Sequence, residues 1–298
     1  MPVKAPVAGL ASVSFILASA ALARAAAPES DFSGPWARNS FAYETPESGP
    51  GPVENASRLP SGIRDRTTLA GDITNPILTR ESAGTVRRFG ELSRRGTGFP
   101  DPNNQCWPEG PPFIYRVLET QILQKQDEIL ILYSFDHQFR RILLNQAHPS
   151  QVTPSWYGDS VGHFEGDALV VDTVGVKLGP FSMIDRFGTP YSEAMHLVER
   201  FQLIDRDVAN AVMARNEREN GRIPPDGGGT DVDPHDTGKA LQISFTVEDP
   251  KSFTQPWSAT VTYRRNIAPW QERPCAENLH NFGVAPDPQI PIADKADF

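Results

Sequence analysis

Between positions 133 and 201 the chain carries four of its six histidines, His148, His163 and His196 among them, together with Asp172, Asp185 and Glu199. An imidazole titrates near neutral pH, so it can take or give a proton there, and a carboxylate beside it orients the ring and balances the imidazolium. That combination suits acid–base chemistry without a cofactor: elimination, isomerisation or hydrolysis. In this reading His148 or His196 moves the proton and Asp172 or Glu199 orients it. Tyr133 and Arg141 contact ligand oxygens, and Arg200, Trp156 and Tyr157 complete the ligand surface. The same residues have a purely structural reading, in which Arg141 or Arg200 pairs with Asp172 or Glu199 inside the fold and no chemistry follows. A carrier or sensor of a small organic molecule, or a structural envelope protein, would use such a body without turnover.

Other motifs carry less. Gly158-Asp-Ser160-Val-Gly162 has the spacing of a nucleophile elbow, but that device needs a strand, a strained turn and a helix, and here a hairpin pattern follows Ser160. Asp231-Val-Asp233-Pro-His235-Asp236 is dense in oxygen donors, yet it lacks the calcium-loop positions and reads as a solvated acidic loop. There is no His-Glu-x-x-His, Cys-x-x-Cys, Gly-x-Gly-x-x-Gly or P-loop, so no metal and no cofactor is expected.

Alternation positions these groups. Strands are expected over 119–123, 129–135, 139–144, 161–164, 169–173, 195–204, 241–247 and 257–265, joined by short turns with no helices of a parallel-sheet crossover between them. Glu165-Gly166-Asp167 is a hairpin turn with glycine where positive φ is needed. The fold class is therefore mainly β: an antiparallel up-and-down barrel or strongly curved, calycin-like sheet. Along 195–201, His196, Val198 and Arg200 share one face, and Leu197, Glu199 and Phe201 share the other. Alternation alone does not say which face is inside.

Around this body, residues 26–112 are rich in Pro, Gly and Ser and read as an arm packed on a barrel domain of 113–282. Within that domain, 205–238 is an insertion: a short helix with Asp207 as a cap and Gly221 as its close, then a glycine-rich acidic loop. The tail 283–298 is Pro-rich and polar. Lys4, an apolar run and Ala23-Arg24-Ala25 form a signal-peptide pattern with cleavage near Ala25/Ala26, so a periplasmic or secreted protein with no membrane span is expected. Loss of Lys4 and Arg24 takes the formal charge from −9 to −11. That surface repels phosphate backbones, and no nucleic-acid partner is expected. In an oxidising compartment the two cysteines, Cys106 and Cys275, should form a disulfide joining the arm to the segment after the last strand.

The string from Gly162 to Thr173, Gly-His-Phe-Glu-Gly-Asp-Ala-Leu-Val-Val-Asp-Thr, resembles a Gly-x-Trp-Glu-Gly-Asp-Thr-Leu-Val-Val-Asp-Thr pattern of a group of uncharacterised secreted bacterial proteins. Phe164 and Ala168 stand where Trp and Thr are usual. The resemblance extends through Arg140-Arg141, His148-Pro149, Ser192 to His196, Glu199-Arg200, Asp249-Pro250, Pro256-Trp257 and the Cys275 segment, with Asp31 to Trp36 at the N-terminal side. It implies an exported globular domain and assigns no activity.

Overall fold

The computed structural model describes residues 1, 30–221, 238–266, 270 and 273–275. The expected signal-peptide pattern, the glycines at 227–229, the acidic run at 231–236 and the segment from 283 lie outside them. Nine strands close a barrel: β1 (Gly34–Ala37), β2 (Glu119–Gln124), β3 (Glu128–Tyr133), β4 (Phe139–Leu144), β5 (Asp159–Glu165), β6 (Ala168–Val174), β7 (His196–Ile204), β8 (Ala240–Glu248) and β9 (Trp257–Arg265). Each strand pairs with its neighbour in sequence, and β1 closes the ring by pairing with both β2 and β9. Every pairing is antiparallel except a short parallel one between β4 and β5. The barrel thus begins at Gly34, and the segment before 113 is not only an arm laid on its outside. The disulfide is formed: Cys106 and Cys275 have Cα atoms 5.4 Å apart and span 169 positions. Among the described residues no helix is long and apolar enough to cross a membrane.

The alternation that marks the strands also packs the lumen. Ile129, Ile131 and Tyr133 of β3, Leu169, Val171 and Thr173 of β6, and Leu197, Glu199 and Phe201 of β7 point inward. Leu241, Ile243, Phe245 and Val247 of β8 meet Trp257, Ala259, Val261 and Tyr263 of β9. Each strand gives alternate positions to this interior, odd ones in β3, β6, β7, β8 and β9 and even ones in β4 and β5, because the side-chain period is two. Gly162 sits where an added Cβ would lie 3.1 Å from Ile142 and 3.2 Å from Leu169, so the wall leaves no room for a side chain there.

At the centre of this apolar filling lies an ion pair. Arg140 Nη1 donates to Glu199 Oε1 at 2.7 Å and Nη2 to Oε2 at 2.5 Å, and both residues are fully buried. Two charges in an apolar interior are costly unless every polar atom finds a partner. Here Thr173 accepts from Arg140 at 2.7 Å, Ser160 accepts at 3.0 Å, and the Tyr115 hydroxyl donates to Glu199. The interior pair therefore uses Arg140, not Arg141 or Arg200. Ser160 is one of its hydrogen-bond partners.

Among the described residues two α-helices lie outside the barrel. The first, α1 (Arg80–Arg94), is capped by Thr79, whose hydroxyl accepts from Ser82 N, and buries Ser82, Val86 and Gly90. The second, α2 (Arg206–Asn220), starts after Asp205, not at Asp207, and ends at Gly221 with φ 72°. Buried Glu44 binds arm, helix and wall together. Its carboxylate accepts from Thr262 N at 2.9 Å, Thr262 Oγ1 at 2.7 Å and Asn216 Nδ2 at 3.2 Å.

Removing one half of the central pair leaves the other charged and buried. Glu199→Ala should therefore cost about 3–5 kcal/mol of folding stability, read from the denaturant midpoint. A variant that unfolds with the wild type would show that the pair does not organise the lumen.

Candidate functional site

Three of the four residues singled out for acid–base chemistry meet, on the outside of the barrel. Asp172 faces outward from β6 because Thr173 and Val171 face in. His196 opens β7 on the same outer face, and His148 follows β4. His196 Nε2 lies 3.0 Å from both carboxylate oxygens of Asp172, and His148 Nε2 lies 3.1 Å from Asp172 Oδ1. Asp159, at the start of β5, holds His148 Nδ1 at 2.5 Å. Both ring nitrogens of His148 thus face carboxylates, an arrangement that suits the imidazolium, which donates from both. Burial pulls the His148 pKa down, but the hydrogen bonds to Asp159 and Asp172 outweigh it and hold it above the usual histidine value. The cluster is open to water: His196 is 37 % and Asp172 41 % exposed.

The remaining candidates are dispersed. Glu199 belongs to the buried pair, on the face of β7 opposite His196, and Tyr133 is packed in the lumen. Arg141 binds Glu128 at 2.5 Å and Arg200 binds Glu165 at 2.8 Å, both on the outer surface. Trp156 stacks edgewise on Trp107 with Lys177 4.8 Å over its ring, and the Tyr157 hydroxyl donates to Gln138 at 3.1 Å.

The lumen is filled, and the concave surface lies beside it. One cleft of about 60 Å³ is bounded by Phe41–Tyr43 of the arm, Val53–Asn55, Arg64, Arg66, Phe113, Arg116, Asp185–Phe187 and the end of α2. A second cavity of about 280 Å³ adjoins it, walled by Thr97, Phe99, Asp101 and Asn103. Arg116 and Arg186 line both. Irregular backbone makes this region: Asp185 turns the chain by accepting from Phe187 N at 2.8 Å and Thr189 N at 3.3 Å. Tyr43 reaches across to donate to Ile184 O at 2.6 Å.

The charges here are perturbed. Burial raises the Asp185 carboxyl to about 6 against three hydrogen bonds that lower it. Burial raises Glu109, behind the cleft, to about 7 despite the Arg116 charge 3.1 Å away. Its Oε2 has no hydrogen-bond partner among the described residues. Burial, with the like charges of Arg116 and Arg66, lowers Arg186 to about 10. Strongly shifted groups gathered in one cleft mark a candidate site.

No family model, curated protein or solved structure matches this chain. The cleft was not legible in the sequence, because its residues come from six separated segments with no periodic signal. The one hint was Asp185 among the titratable residues of the strand region.

The shifted groups set a pH dependence. Glu109, Asp185 and His148 each have a folded pKa above the unfolded one, so the folded state holds more protons between the two values. Their stabilisation is complete below the unfolded pKa and is lost as pH rises through the folded one. The denaturant midpoint should fall as pH rises from about 5 to about 8, and Glu109→Gln should flatten the curve. A midpoint that climbs across that window contradicts the assignment.

Proposed function

We propose that the protein is exported and binds a small organic molecule, in the cleft beside the barrel and not within it. The observation that supports this reading is the pairing of a filled lumen with an adjoining cleft. That cleft joins apolar walls from Phe41, Val53, Leu69, Phe113 and Phe187 to a few polar groups with shifted pKa values. Ligand sites are commonly of this kind and span about 300–1,000 Å³; the cleft itself holds about 60 Å³ and opens at Leu69, Arg116 and Arg186 on the more polar cavity of about 280 Å³. A non-catalytic carrier or sensor needs nothing more.

A second reading has its own observation. His148, Asp172 and His196 converge, with Asp159 behind His148, as a base, an orienting carboxylate and an acid would. Elimination, isomerisation or hydrolysis at that face would act on a substrate bound at the surface, since none of the four lines either cleft.

A thermal-shift screen with acidic, neutral and basic small molecules separates the two. Compounds that raise the melting temperature of the wild type should lose their effect in Phe187→Ala and keep it in His196→Ala. Loss in His196→Ala alone would move the site to the surface cluster, and a screen without any stabilising compound would remove the binding reading.

A further inference from the structure

The two cavities meet at Arg116 and Arg186, and this meeting point is cationic in a chain whose formal charge is −9. Four arginines, Arg64, Arg66, Arg116 and Arg186, line the cleft against two carboxylates, Glu54 and Asp185. The neighbouring acids are already committed. Glu54 pairs with Arg64. Asp185 accepts from two backbone N–H groups. Glu109 binds Arg116 and Asn103. Asp101 caps its own turn, accepting from Asn104 N at 2.7 Å.

Among the described residues Arg186 has no ion-pair or hydrogen-bond partner. Its guanidinium lies over the face of Phe41, 4.8 Å from the ring centroid, and the Asp101 carboxylate, beyond ion-pair distance, offsets only part of its charge. A guanidinium taken partly out of water beside two like charges is unfavourable unless a negative group faces it. Its planar fork matches the two oxygens of a carboxylate, and Arg116 and Arg66 stand beside it. Apolar surface adjoins the fork through Phe41, Phe113 and Phe187.

We infer that this junction binds the oxyanion group of a small organic acid, held by Arg186 with Arg116 and Arg66, while the apolar body of the ligand lies against the phenylalanines. The inference rests on the cleft being the binding site and adds the chemical class of the ligand. The anion offsets the charge that Asp101 compensates only in part, so binding and stability are linked through the same residue.

Calorimetric titration of the full chain with benzoate, its neutral counterpart benzamide, and inorganic phosphate, all at constant ionic strength, tests it. Benzoate should bind more tightly than benzamide, and Arg186→Gln should weaken benzoate by about tenfold or more, the loss of one charge-assisted contact. Arg186→Gln removes a desolvated charge that stands beside Arg116 and Arg66 and is only partly offset by Asp101, so in buffer without oxyanions it should melt at or above the wild-type temperature. Phosphate distinguishes two sources of the oxyanion. Competition with benzoate opens the site to phosphorylated acids as well, and benzoate binding unaffected by phosphate assigns it to carboxylates. Benzamide binding as well as benzoate would overturn the anion while leaving the cleft a binding site. Benzoate binding unchanged in Arg186→Gln, or absent in the wild type, would overturn the inference outright.

Discussion

The Arg140–Glu199 pair is the constraint on which the rest of this structure depends. A nine-stranded ring has room at its centre, and here that room holds a charged, hydrogen-bonded network in place of a ligand. β4 supplies the arginine, β7 the glutamate, β5 and β6 the hydroxyls of Ser160 and Thr173, and the segment before β2 the hydroxyl of Tyr115. Each member is satisfied only when the strands stand in one register. A slip by one residue would turn Glu199 outward and bring His196 and Arg200 into the core. The pair therefore specifies which face of β7 is inside, and through it where the histidines go.

That choice moves the chemistry outward in two senses. With Glu199 committed to the interior, Asp172 and His196 are left on the opposite face, where His148 joins them under water. With the lumen filled, the cleft that the arm, the 183–189 segment and α2 build against the wall is where we propose that a small molecule binds. Glu44 is what makes that cleft a fixed feature, since one buried carboxylate ties arm, helix and β9 together. Cys106 and Cys275 bind the far side of the same irregular region to the chain after the last strand.

Much of the barrel was legible because alternation is local. The strands from Glu119 to Arg265 fall close to where their period-two patterns place them, and the turn at Gly166 takes the expected positive φ. The β1 strand escaped because four residues containing Pro35 give no period. The α1 helix escaped because its buried face is Ser82, Val86 and Gly90, which reads as polar. The convergence of His148, Asp172 and His196 was anticipated, but its side of the wall was not. Alternation sorts residues into two faces and leaves the inner one to be decided by a distant partner, here Arg140, one position from the arginine first considered. The motif from Gly162 to Thr173 shows the same division: Asp172 serves the outer cluster and Thr173 the inner pair. The arginine cleft had no sequence signal at all, because tertiary contacts alone assemble it.

The central claim is that ligand binds beside the barrel, at the arginine junction, and not inside it or on the histidine face. Photolabelling with a diazirine-bearing benzoate, followed by peptide mapping, tests this most directly. The account predicts label on the peptides holding Phe41–Tyr43, Phe113–Arg116 or Asp185–Phe187, suppressed by excess benzoate. Competable label on the inward residues of β7 and β8, or around His148 and His196, would contradict it.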